Sequence, residues 1–361
     1  MPEVFIPSLP QTRVFKLGRI RRERMLPTRG TVMAQMGSRV GSLDIVAKSN
    51  TTGHLRPIPL ARYLRTTEAN LSKYLLKQPG DEMQAREMIA SKPELFGTLR
   101  RTYRAPSAGR IAALQGAWLT LDLSDKPFEL QALYRGTVVN VTQRYGVLIE
   151  ATGALAQGVW GAGGECYGVL KKMVDSPDMI LQEDKVDLSS RGVILIGGAG
   201  VTENTIRRAA QERAAGLIVG GLQPHLRELV ESLALPTLVT DGLGECPMSA
   251  PFFDLLTMYA GNEAIVNTFA GARNSMRPEV FIPMVATSGG ETSMVPPTLV
   301  TEVGATVRVT GGPSVGAIGK IADISPAPRS FESGVSAWGA EIELISGNRV
   351  FVPWENLELI G

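Results

Sequence analysis

The stretch Gly304–Ile324 reads GATVRVTGGPSVGAIGKIADI, and how it is read decides the kind of chain this is. A glycine-rich run closing on Gly319-Lys320 suggests a loop that cradles phosphates. Such a loop needs a glycine five places before the Gly-Lys pair and a hydroxyl residue after it. Ser314 stands at the first place and Ile321 at the second. No helix follows either, because Ser325-Pro326-Ala327-Pro328 would break one. The alternation before the glycines is that of a strand, with Val307 and Val309 on one face and Thr306 and Arg308 on the other. Further strands are expected over 320–324, 340–345 and 350–352, the last two joined by the tight turn Ser346-Gly347-Asn348. This is a short meander that would curl into a small barrel.

Gly304, Val307, Val309, Gly312-Pro313, Gly316, Gly319 and Ile321 fall where the KOW motif has its pattern. The ending Val352-Pro353-Trp354-Glu355-Asn356-Leu357-Glu358 resembles the last strand of the same SH3-like barrels. The resemblance covers about the last sixty residues, 299–361. It implies a small β-barrel and a partner in the transcription or translation machinery, a ribosome or an RNA polymerase. The loop Pro313-Ser314-Val315-Gly316-Ala317 is uncharged, where that of ribosomal members is often basic.

Working back from this tail, 361 residues are enough for two or three domains. Apolar residues make up 44%, which suits ordinary cores, and no apolar run reaches the length of a membrane span. The start, MPEVFIPSLP, does not read as a signal peptide. Two cysteines make no disulfide framework. The expectation is a soluble, cytoplasmic protein with no membrane partner.

The net charge of +2 hides an imbalance. Residues 1–110 carry 20 Lys and Arg against 8 Asp and Glu. The densest part holds Lys16, Arg19, Arg21, Arg22 and Arg24. A basic extended arm over 1–30 is the electrostatic footprint of RNA or DNA, and these five residues are its candidate contacts. The arm equally suits neutralising acidic surface of the same chain or of a second copy.

The hexapeptide PEVFIP occurs at Pro2–Pro7 and again at Pro278–Pro283. Proline at both ends suits an edge strand or an arm that binds a neighbouring copy, which would make a homo-oligomer. The second copy lies in 270–298, which reads as a linker rich in Gly, Ser, Thr and Pro.

Over 31–124, Gly and Asp turns lead into short strands, as at Asp44-Ile45-Val46-Ala47 and Glu87-Met88-Ile89-Ala90. They end in the turn Ala105-Pro106-Ser107-Ala108-Gly109. One or two short helices are expected over 60–76. The phrase resembles the barrel-sandwich hybrid of biotinyl and lipoyl domains, which carry a cofactor on a lysine at a hairpin tip. The corresponding tip, Glu94-Leu95-Phe96-Gly97, has no lysine, and Lys92 is followed by Pro93. The resemblance therefore implies the fold without the cofactor. A β-rich segment, 125–185, follows. Its Gly158–Gly168 stretch reads as a bulged hairpin with Trp160 and Tyr167 on the core, and alternatively as a glycine loop for a ligand.

Over 186–269 the period changes. Apolar strands at 193–196, 217–219 and 237–239 alternate with helices after Thr202, over 225–233 and over 252–259. That order predicts a parallel sheet covered on both faces. The fold class is therefore a mixed multidomain chain: a barrel-sandwich hybrid, an α/β parallel-sheet domain and a C-terminal SH3-like barrel.

Gly198, Gly200, Gly220, Gly221 and Asp241 lie where an open α/β sheet takes its ligand, and mark a candidate site for a small anion. The spacing is not that of a dinucleotide fingerprint, since Glu203 holds the third glycine's place. His54, Cys166, His225 and Cys246 share no metal-ligand spacing. Cys246 and His225 are the one pair that suits nucleophilic chemistry, but a buried inert thiol is the commoner fate. No catalytic residue, metal or cofactor is expected. The sequence favours a binding or scaffold protein, with a small-ligand sensor or enzyme and a self-assembling subunit as alternatives.

Overall fold

The computed structural model describes residues 6–49, 55–94, 99–123, 128–269, 277–284, 294, 298–331 and 334–361. It is a strand-rich chain of several sheets. The chain divides into two compact units: Arg21–Glu150 forms one, and Met1–Ile20 joined with Ala151–Gly361 forms the other.

Within Arg21–Glu150, the strands Leu55–Ile58, Trp118–Asp122, Gly109–Gln115 and Glu82–Met83 lie side by side and antiparallel. A second sheet pairs Ile45–Ser49 with Phe128–Gln131 and Thr31–Val32. Met88–Glu94 and Leu99–Arg104 make a hairpin whose tip, 95–98, lies outside the described residues. The short helices α1 (Leu60–Leu64) and α2 (Glu68–Leu71) occupy the expected span. Leu60, Leu64 and Leu71 enter one core with Met83, Ile89, Ile111, Leu119 and Leu121. Lys92 is a hairpin residue, with its ammonium hydrogen-bonded to the Arg65 carbonyl at 2.5 Å.

The basic stretch is extended but is no free arm. Val14–Met25 is one strand, paired with Gly146–Gln157. Its alternation buries Arg22 and Arg24 and leaves Arg21, Glu23 and Met25 exposed.

In the other unit, Glu165–Lys172, Val193–Ile196, Gly216–Leu222 and Thr237–Leu243 run parallel, side by side in chain order. Helices α3 (Glu203–Gln211) and α4 (Arg227–Leu233) link them, and α5 (Ala250–Met258) follows the last. Crossovers that step one way with right-handed turns put their helices on one face. Accordingly α3 packs against α4. The α3–α4 layer covers one face, and the strand order never reverses among the four.

Antiparallel strands flank this core. Trp160–Ala162 pairs with Thr237–Leu243, whereas Glu165–Lys172 pairs with Glu263–Asn267. The expected Gly158–Gly168 hairpin is thus not one, because its two halves join different parts of the sheet. Gly163 makes this crossing possible: its φ is +89°, and a Cβ there would sit 2.2 Å from the Leu235 carbonyl oxygen. The second PEVFIP copy is no edge or linker either. Glu279–Pro283 pairs on one side with Glu263–Asn267 and on the other with 153–157. Val280, Phe281 and Ile282 are buried in the sheet interior. Of the first copy, only Ile6 and Pro7 lie within the described residues.

The last sheet has the order Gln11–Thr12, Leu357–Ile360, Thr306–Val309, Ile318–Ile324, Gly339–Leu344 and Arg349–Pro353. The expected meander is present, with Gly347 at φ +85° in the expected turn. Two additions come from afar: Leu9 joins its core, and Gln11–Thr12 adds a parallel strand.

Phe281 is fully buried, so Phe281→Ala should lower stability by about 3–5 kcal/mol. Leu188→Ala, at a residue 81% exposed, should change it by under about 0.5 kcal/mol. Denaturant unfolding followed by tryptophan fluorescence measures both.

Candidate functional site

The glycines at the carboxyl ends of the parallel strands serve backbone packing first. A Cβ on Gly198 would lie 2.3 Å from the Met179 carbonyl oxygen. One on Gly220 would meet Cys246 and Met248 backbone at 2.5 Å, and one on Gly221 the Gly244 oxygen at 2.3 Å. The loop after Thr237–Leu243 therefore lies directly on Gly220-Gly221. Bare backbone is what lets two loops close over the strand ends.

This closure leaves a cavity of about 310 Å³ beside the packed loops. Gly200 and Gly221 line it, with Thr202, Glu203, Gln223, His225 and Glu245. Gly198, Gly220 and Asp241 are not in its wall, so the structure brings two of the five expected ligand residues together there. Thr202 caps α3 by accepting the Thr205 N–H at 3.2 Å. Glu203, in the first turn, already supplies negative charge at that helix end. With Glu245 opposite, the wall holds two carboxylates and one imidazole, a charge balance that does not favour an anion. A broader depression of about 580 Å³ beside α3 sets Glu183, Asp184 and Asp187 near Arg207 and Arg208. Those arginines are already paired, with Glu203 and Glu212.

Asp241 belongs to a different arrangement. One carboxylate oxygen takes the Arg308 guanidinium at 2.6 Å. The other accepts the Thr240 hydroxyl at 2.7 Å and the Ser249 N–H at 3.0 Å. Arg308 continues to Glu358, donating from Nη2 at 2.5 Å and from Nε at 3.1 Å. Glu358 also accepts Thr12 at 2.7 Å and Arg277 at 2.5 Å. The Arg308 side chain is 3% exposed and Glu358 is 4% exposed. Both faces of the Arg308 strand are covered, with Phe252 5.9 Å below the guanidinium. Burial raises the pKa of Glu358, but Arg308, Thr12 and Arg277 outweigh it and hold the carboxyl below its ordinary value.

The thiols are not prepared for chemistry. Burial pushes Cys166 up to about 12. Cys246 is raised as well, first by burial and then by the Asp241 charge, against the pull of Arg308. His225 lines the cavity and Cys246 does not. Among the described residues no group of three or more His, Cys, Asp or Glu could hold a metal, and no helix is long and apolar enough to cross a membrane. His54 lies outside them.

The expected nucleic-acid contacts scatter. Lys16 is exposed and Arg19 half-buried. Arg21 is exposed and pairs with Glu150 at 2.9 Å. Arg22 and Arg24 are each 7% exposed, and Arg24 donates to the Gln131 carbonyl at 3.0 Å. Two of the five therefore face inward as part of their strand's own packing. No family model matches the chain, and no curated protein matches it.

Removing Arg308 would leave Asp241 and Glu358 buried without their shared cation. Arg308→Met should cost about 3–5 kcal/mol at pH 7. A carboxylate whose pKa falls on folding contributes stability that is complete above its unfolded value near ~4.3. That contribution is lost only as pH drops through the lower folded value. In Arg308→Met the Glu358 carboxyl protonates more readily, so the deficit should shrink at pH 4, as urea melts at both pH values would show. Both thiols should react with iodoacetamide at pH 8 far more slowly than free cysteine, and at its rate once unfolded.

Proposed function

We propose that the protein is a non-enzymatic binding protein whose Arg21–Glu150 unit engages nucleic acid. The observation that carries this is how charge divides between the compact units. Residues 21–150 hold 20 Lys and Arg against 11 Asp and Glu, while the rest hold 17 against 24. A net +9 on 130 residues is the surface a polyanion seeks, and it persists although Arg22 and Arg24 are inside. The raised thiols and the carboxylates held in ion pairs favour binding over catalysis.

On this reading, residues 31–124 of the Arg21–Glu150 unit have the barrel-sandwich hybrid fold without the modified lysine, and the parallel-sheet region is an α/β domain. The C-terminal sheet is a KOW-type SH3-like barrel, whose partner would be a component of the transcription or translation machinery. That sheet belongs to the net-negative unit, so the nucleic-acid contact is assigned to the cationic one. The 310 Å³ cavity keeps a small-ligand role as the second reading, with a neutral or cationic occupant better suited to Glu203 and Glu245 than an anion.

Binding of labelled RNA and DNA to the full chain should weaken steeply with salt. The slope of log Kd against log salt should be about 0.7 per phosphate contacted on a single strand and about 0.9 on a duplex. Absence of binding at low salt would remove this reading.

A further inference from the structure

One end of the cationic unit joins charge to exposed aromatic surface. Helix α1 packs on the strand Leu99–Arg104, which brings Tyr63 against Tyr103. Their rings meet edge to face, with centroids 5.1 Å apart and planes at 84°. Tyr63 is 48% exposed, so a face of its ring is open to solvent.

Cations gather around this pair. Lys92 anchors α1's end by donating to the Arg65 carbonyl at 2.5 Å, and Arg65 holds a left-handed φ of 48° there. Arg56 acts electrostatically on the Tyr103 phenol, and Arg101 on Tyr63. Glu94 lies among Arg101, Lys92 and Arg65, and is engaged by Arg101 at 2.9 Å. Arg56, Arg62 and Arg65 are exposed, and none makes a side-chain ion pair among the described residues.

We infer that the Tyr63–Tyr103 pair and the cations around it form a platform for an unpaired nucleic-acid strand, with a base stacked on Tyr63 and phosphates on Arg65 and Arg56. This rests on the nucleic-acid reading above and locates its site. An open tyrosine face gains from a base only if that base is free to leave its neighbours. A duplex keeps its bases stacked on one another and offers only phosphates. The second ring, set edge-on, fixes the first in place, so little side-chain freedom is lost on stacking. Charge complementarity supplies the rest.

Fluorescence anisotropy on the full chain tests this with labelled twelve-nucleotide uridine and thymidine strands and a twelve-pair duplex at about 50 mM salt. Both single strands should bind more tightly than the duplex. Tyr63→Ala should weaken them by about fivefold or more. It should leave the duplex within about twofold, and Tyr63→Trp should restore the strands. Arg65→Gln and Arg56→Gln should each lower the salt slope by about 0.7; both residues are exposed, so these variants decide the matter if Tyr63→Ala alters the melting curve. If Tyr63→Ala leaves strand affinity unchanged while the chain still binds nucleic acid, the platform is wrong and the broader reading survives. If nothing binds, both are wrong. Displacement by polyglutamate at equal charge would overturn the platform in favour of an acidic protein partner.

Discussion

Within the larger unit, a single buried guanidinium ties the C-terminal sheet to the end of the parallel strands. Arg308, on a strand of the C-terminal sheet, reaches Asp241 at the end of the last parallel strand and Glu358 on its own neighbour. Burying three charges is costly unless every lone pair and proton finds a partner. Here Thr12, Thr240, Arg277 and the Ser249 backbone complete the shell. The pairing is directional, so it specifies how two sheets meet, which apolar contact alone does loosely. Asp241 sits where an α/β sheet would present a ligand group, and here structure has taken that group.

The closely packed glycines follow the same logic. Gly198, Gly220 and Gly221 allow loops to lie on strand ends without side chains between them. The cavity beside them is what remains after this closure, and its wall carries carboxylates rather than a cationic cradle. Cationic surface is instead concentrated in the unit Arg21–Glu150, which contributes neither the cavity nor the buried network.

Much of the local structure was legible. Alternation located Thr306–Val309 and Ile318–Ile324, and the uniform apolar run located Val193–Ile196. A helix is legible after Thr202, which does cap it. What failed was anything set by long-range pairing. Period-two alternation puts Arg308 opposite Val307 and Val309 but does not say that a second layer covers that face too. Proline at both ends of 278–283 suggested an edge, yet the ladder needs no N–H from either proline position, and the strand lies inside. The compact units could not be seen because strand Gly146–Gln157 carries no break at Glu150, where one ends and the other resumes. The Tyr63–Tyr103 pair was hidden for a related reason: forty residues separate its members, and neither stands in a patterned motif.

That division has a consequence for how the protein is made. As the chain leaves the ribosome, Arg21–Glu150 is complete as a unit and free to fold early. The segment before it must wait, because Thr12 finds Glu358 only 346 positions later. During that interval Leu9 and Thr12 lack the C-terminal sheet they join. A chain whose short first strand waits for its last sheet exposes that strand for as long as synthesis of the rest takes.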